Sequence, residues 1–237
     1  MTSPLALWTT FVVVFASLSY TLRFTEGKPP KDVLYQWGTV TGELIQYAVI
    51  ALIVYGIAGL GRRRQLLALR RPTSWRRALA IGIGIGVLMV VLTYTLGAVL
   101  NPGREQGVTP DTWEPAHAAA YVANGVVICF VAPFVEEITF RGLGYSLLVR
   151  WGRWTAIVLV GVASALAHGL VQAFPFLLVL GSALAYLRSR VDSVYPGMVV
   201  HGAFNAVALA VAVSGKPQQE NILGACAAAV WSFLSHF

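Results

Sequence analysis

Glu136 and Glu137 stand side by side in the stretch VEEITFRGLGY, and Arg141 follows four positions after the second of them. On a helix, residues four apart share a face, and an acid placed before a base is the better orientation for an ion pair. Glu137 and Arg141 are therefore expected to compensate one another. Glu136 is turned by about 100° around the helix and is left for other work. Further on, His168 and the stretch HGAFN, with His201 and Asn205 again four apart, supply two imidazoles and an amide. A carboxylate and imidazoles can carry general acid–base catalysis, and imidazole and amide donors can stabilise an oxyanion. Each residue also has a structural explanation. A Glu–Arg pair can simply hold helices together, and a single buried histidine is commonly a satisfied core residue. The set gains meaning only if the chain gathers it in one place away from water.

The composition says where that place is. Of 237 residues, 57% are hydrophobic and only 11% are charged, against about a quarter charged in a soluble domain. Apolar stretches near the roughly 20 residues that cross a bilayer recur along the whole chain. Eight helical spans are predicted, at 5–22, 43–60, 78–100, 118–149, 154–172, 174–188, 194–213 and 220–236. The opening MTSPLALWTTFVVVFASLSYTLRF lacks the basic region that begins a signal peptide, so it is read as a retained first span. The fold class is all-α, a polytopic membrane protein without repeats or a soluble appendage.

The formal net charge of +7 does not point to nucleic acid, because the cations fall in the gaps between apolar stretches. Eight spans put both termini on one side. With Arg141 counted in, that side carries 12 of the 17 Lys and Arg residues, in GRRRQLLALRRPTSWRR, RWGR and RSRVD. The positive-inside rule makes it, and both termini, cytoplasmic. Trp75, Trp151 and Trp154 are expected at the inner boundary and Trp37 and Trp113 at the outer one. The compact chain with short loops reads as that of a bacterial plasma-membrane protein. Cys129 and Cys226 lie in separate apolar segments without CxxC spacing and are read as packing residues. The glycines of IGIGIG lie inside a span with no strand before them, so they suit close helix packing rather than nucleotide binding. His117 and His236 fall at membrane edges and receive no role.

The spans fix depths. Glu136 precedes Arg150 by 14 residues, about 21 Å along the helix from the inner end, deep in a hydrocarbon layer about 30 Å thick. His168 lies at a similar depth on the fifth span, and His201 and Asn205 are about 10 and 16 Å along the seventh. Three helices thus bring the carboxylate, imidazoles and amide to overlapping levels. Burying several ionisable groups in a membrane is costly and is seldom kept without use.

At these residues the sequence resembles the CAAX-protease and bacteriocin-processing family, also called Abi, of glutamic intramembrane proteases. The family pattern is EExxxR, then FxxxH, then HxxxN or HxxxD. Here the first is EEITFR and the third HGAFN, while in SALAH the phenylalanine position is Ser164. That residue usually helps wall the site, so its replacement bears on substrate shape more than on reactivity. The motifs cover about residues 130–210 and resemble the family's four-helix core. The resemblance implies one integral-membrane protease domain over 1–237, divided into N-terminal helices (1–117), a catalytic core (118–213) and a C-terminal helix (214–237).

What the resemblance further implies is hydrolysis of a peptide bond near the C-terminus or membrane segment of a substrate protein. Glu136 would deprotonate a water held between it and His168, and His201 and Asn205 would stabilise the oxyanion. Glu137 and Arg141 would support the helix. Removing water from around a carboxylate strengthens it as a base, which is what this chemistry asks for. Glu136, both histidines and Asn205 could also ligate zinc; there is no HExxH, and the resemblance implies no metal and no cofactor. The implied partner is a membrane-associated protein or peptide, lipidated or carrying a C-terminal membrane segment. CAAX processing, leader removal and trimming of sorting segments are not separated by the sequence. The alternative is a non-catalytic membrane protein such as a bacteriocin-immunity factor or a scaffold. A proton-coupled carrier would show two related halves, and none is found.

Overall fold

The computed structural model describes residues 3–59, 63–100, 105 and 113–213. Among them there is no strand, and seven helices carry the architecture: α1 (Pro4–Glu26), α2 (Trp37–Ala58), α3 (Trp75–Leu100), α4 (Pro115–Trp151), α5 (Arg153–Ala167), α6 (Phe174–Val191) and α7 (Tyr195–Val213). All but α5 are long and apolar enough to cross a bilayer. The protein is an all-α integral membrane protein. Large apolar side chains such as Val14, Ile45, Leu52, Leu79, Phe130 and Val199 point outward, where hydrocarbon rather than water is the solvent and their exposure carries no penalty. The predicted eighth span, 220–236, and Cys226 lie outside the described residues.

The span edges differ from the sequence reading in instructive ways. The fifth helix, predicted over 154–172, ends at Ala167 after 15 residues, roughly 22 Å. Gly169 stops it by taking a left-handed conformation at φ +64°, which glycine adopts without steric cost. His168 is therefore the capping residue of α5 rather than a residue inside a span. The sixth helix, predicted to end at 188, continues to Val191 and is stopped by Asp192 in the left-handed region. The second begins at Trp37, six residues before the predicted edge.

The fourth span is continuous but not uniformly α-helical. It carries π-helical segments at Val127–Val131 and Glu137–Gly144, with a short α-helical stretch, Ala132–Glu136, between them. Pro133 supplies a cause for the first. A proline inside a helix has no N–H to donate and crowds the carbonyl one turn back, and widening the preceding turn accommodates both. π-segments place carbonyls out of regular register and recur at functional sites. Two of the irregular carbonyls are used here: the indole of Trp8 donates to Thr139 O at 3.0 Å, and Asn205 donates to Ile128 O at 2.8 Å.

Small residues let the helices close on the site, as they do where membrane helices pack. A Cβ at Gly161 would collide with Ser182 across the α5–α6 contact, one at Gly181 would sit tightly on Gly161 at 3.2 Å, and one at Gly202 would strike the Cys129 carbonyl of α4. The IGIGIG glycines follow the packing expectation only in part. A Cβ at Gly82 would meet Val200 of α7 at 2.9 Å, whereas Gly84 and Gly86 have nothing within 4 Å.

The arginine-rich connections gather at one end. Arg70 pairs with Asp192 at 2.6 Å, Thr73 N–H donates to Val191 O, and Val194 N–H donates to Ala68 O. At the other end Arg23 reaches Glu105 at 3.3 Å, and Glu105 also accepts from the backbone N–H groups of Val171 and Ala173 at 2.9 and 2.8 Å. Burial pushes the Glu105 carboxyl up, but these donors outweigh it and hold the group below its ordinary range. The turn that follows His168 is thereby tied to α1, and Gly169 presses against the Ser19 backbone.

Candidate active site

Three helices and the α5 cap deliver polar groups to one point in an otherwise apolar interior. Glu136 comes from the end of the short α-helical stretch of α4, His168 from the cap of α5, His201 from α7 and Tyr47 from α2. The two carboxylate oxygens of Glu136 meet different surroundings. Oε1 accepts from the Tyr47 hydroxyl at 3.3 Å. Oε2 faces Nε2 of His168 at 3.7 Å and Nε2 of His201 at 3.9 Å. Both gaps are too long for direct hydrogen bonds. Oε2 is buried and has no hydrogen-bond partner among the described residues.

The far nitrogens of the two rings decide what the near ones can do. His168 Nδ1 lies 2.7 Å from the Ser164 carbonyl. A carbonyl only accepts, so Nδ1 carries the hydrogen and Nε2 of the neutral ring presents a lone pair. His201 Nδ1 lies 3.4 Å from Oε1 of Glu137, which likewise only accepts when ionised. A carboxylate oxygen and two ring nitrogens therefore converge on a space whose natural occupant is a donor of two hydrogens.

Glu137 is wholly buried, and its Oε1 stands 3.1 Å from Nη1 of Arg141, itself 1% exposed. The expected pair on one helix face is present, and its contact is ionic rather than an aligned hydrogen bond. The glutamate is also the partner of His201, so the two acids are linked through that ring rather than working apart. Gly197 of α7 makes this possible, since a Cβ there would strike Oε2 of Glu137.

Asn205 lies one turn beyond His201, and its amide donates to the Ile128 carbonyl. One of its hydrogens thus fastens α7 to the π-segment, and the second remains for other use. Ser164 is buried and offers His168 its backbone carbonyl. His117, given no role, pairs with Glu114 at 3.0 Å on the surface.

Tyr47 and Glu43 escaped the sequence reading. Glu43 precedes Tyr47 by one turn of α2, and its Oε2 is buried with no hydrogen-bond partner among the described residues. A glutamate and a tyrosine four apart in an apolar span were the available signal. Beside them, a cleft of about 350 Å³ opens between α1 and α2. Phe11, Phe15, Leu18 and Ile50 give it apolar lining, and Glu136 and His168 line it as well.

Residues 118–207 match the family model described as Type II CAAX prenyl endopeptidase Rce1-like. That segment holds Glu136, Glu137, Arg141, His168, His201 and Asn205, and it leaves out α1 and α2. No curated protein and no solved structure matches the chain at a significant level.

Proposed function

We propose, from the match of residues 118–207 to the Rce1-like type II CAAX prenyl endopeptidase model and from the geometry of the site, that the protein is a glutamic intramembrane endopeptidase with Glu136 as its general base. One observation carries the reading: Oε2 of Glu136 faces the Nε2 atoms of His168 and His201, while the Nδ1 of each ring is held by an acceptor. A water seated there donates one hydrogen to Oε2 and the other to Nε2 of His168. Its lone pair is then directed at the carbonyl carbon of a peptide bond lying in the cleft.

Attack forms the C–O bond as the water proton passes to Glu136. The carbonyl electrons move onto oxygen, where His201 and the second amide hydrogen of Asn205 receive the charge. His201 can donate from Nε2 only when both ring nitrogens carry hydrogen, and Glu137 is the acceptor such a ring requires at Nδ1. Fixed donors in a dry site stabilise developing charge effectively. Glu136 then returns its proton to the amide nitrogen, the C–N bond breaks, and a new carboxyl group and amine separate. The substrate is a protein segment at the membrane, its residues beside the scissile bond lying against Phe11, Phe15 and Ile50.

The test is cleavage by purified protein in lipid nanodiscs of three membrane-anchored substrates: a prenylated C-terminal peptide, a leader peptide, and a protein with a C-terminal membrane helix. At least one is expected to be cut, at a rate that a strong chelator leaves unchanged. Inactivation by chelator with recovery on adding one equivalent of zinc would replace the glutamate mechanism by a metal one. Failure to cut any of the three would sink the endopeptidase reading.

The same reading includes an orientation in which the arginine-rich end is cytoplasmic. A cysteine replacing Arg64 should react with a membrane-impermeant maleimide only after cells are opened, and one replacing Glu114 should react in intact cells. Equal labelling of both in intact cells would overturn it.

A further inference from the structure

Tyr47 lies outside the segment matched by the family model, 89 residues from Glu136 in sequence, yet its hydroxyl donates to Oε1 of that glutamate at 3.3 Å. It sits on the wall of the α1–α2 cleft beside Gln46 and Ile50. We propose that Tyr47 is a positioning residue of the hydrolytic centre, a proposal that rests on Glu136 being the base. The two oxygens of a free carboxylate are equivalent, and rotation about the last side-chain bond exchanges them at little cost. A phenol bound to Oε1 removes that equivalence. It turns the carboxylate plane so that Oε2 alone faces the two imidazoles and alone takes the water proton.

The placement of the phenol is itself fixed. Asn124 of α4 donates to Leu34 O at 2.8 Å and Gln36 O at 3.4 Å, the residues leading into α2. The start of α2 is thus tied to the helix that carries Glu136. A hydroxyl inside a membrane span must find an acceptor or forfeit a hydrogen bond, and the acceptor here is the reacting group. Glu43, one turn away with an oxygen lacking a partner among the described residues, keeps this face of α2 polar at the same level. An apolar wall would need neither residue.

The experiment is Tyr47→Phe in the full chain, which removes one oxygen and keeps the ring. The expected result is a fall in kcat of roughly 10- to 100-fold, the scale of a small misplacement of a reacting group, with KM within about twofold and the thermal midpoint unchanged. In a Glu136→Asp background the carboxylate is drawn back from the phenol, and Tyr47→Phe should then cost less than about threefold, the non-additivity of residues acting through one contact. Full additivity, or a change confined to KM, would make Tyr47 a substrate-contacting wall and overturn the proposal. A second readout does not depend on turnover. The infrared carboxylate band that Glu136→Gln abolishes should be displaced in Tyr47→Phe. An unmoved band in folded Tyr47→Phe protein overturns the inference whether or not the protein cleaves anything, whereas a displaced band in a protein that cuts no substrate would count against the protease reading alone.

Discussion

Glu136→Gln is expected to lower single-turnover cleavage by about 10²- to 10⁴-fold, the range that general-base catalysis contributes, without lowering the thermal midpoint. The geometry explains why the two effects separate. Glutamine keeps the length and shape of the side chain, and its carbonyl can still accept from Tyr47, as Oε1 of Glu136 does. Its NH₂ then occupies the place of Oε2, opposite the Nε2 atoms of His168 and His201. Nε2 of His168 presents a lone pair, so the amide directs a hydrogen toward an acceptor where the carboxylate faced it with a second lone pair. The substitution therefore removes an uncompensated buried oxygen, and unpaired buried polar atoms are costly. Stability should hold or rise slightly. The amide nitrogen, however, cannot take a proton from water. The measurement is single-turnover cleavage beside the thermal midpoint in the same detergent. Cleavage at the wild-type rate would mean that the glutamate is structural and that the bond is hydrolysed by other groups.

What the sequence made legible about this site was its spacing. Glu137 and Arg141 on one helix face, and His201 and Asn205 one turn apart, follow from helical geometry; the structure joins the first two as an ion pair and sets His201 on Glu137 and Asn205 on the Ile128 carbonyl. Depth was legible as well, because counting residues from the arginine-rich ends brought His168 to the level of Glu136. What escaped the sequence depends on contacts between distant segments. Tyr47 reaches Glu136 only because α1, α2 and α4 pack together, and no local pattern encodes that packing. The π-segments of α4 have a single local cue, Pro133, and that cue announces a disturbed turn without giving its form. The early end of α5 had Gly169 as its signal, but a glycine inside a membrane span is common and does not by itself end a helix. The turn's hold on Glu105 shows why this one does: with α5 closed at His168, the next residues expose backbone N–H groups that a buried carboxylate can cap.

The neighbouring substitution, Glu137→Gln, is expected to damage the protein in a different way, by lowering stability about 3–5 kcal/mol and activity along with it. Glu137 has no exposed surface, and Arg141, at 3.1 Å, is almost as buried. Neutralising the glutamate leaves a guanidinium in the interior without its counter-charge, and breaking a buried pair from one side costs that much because the remaining ion cannot be rehydrated. With its carbonyl kept at the Oε1 place beside both Arg141 and His201, the amide sets its NH₂ on the Oε2 side, where Gly197 packs closely. Activity falls for a separate reason, since the acceptor left at His201 Nδ1 is a neutral carbonyl and no longer the charge that keeps a hydrogen on both ring nitrogens. The two causes can be pulled apart. Adding Arg141→Met removes the stranded charge, and replacing both members of a buried pair is often nearly neutral. The double variant should therefore recover most of the lost thermal stability while remaining as inactive as Glu137→Gln. If it is no more stable than the single variant, the stranded arginine is not the cause. If Glu137→Gln alone keeps both the midpoint and the rate of the wild type, the Glu137–Arg141–His201 connection has no part in holding or running the site.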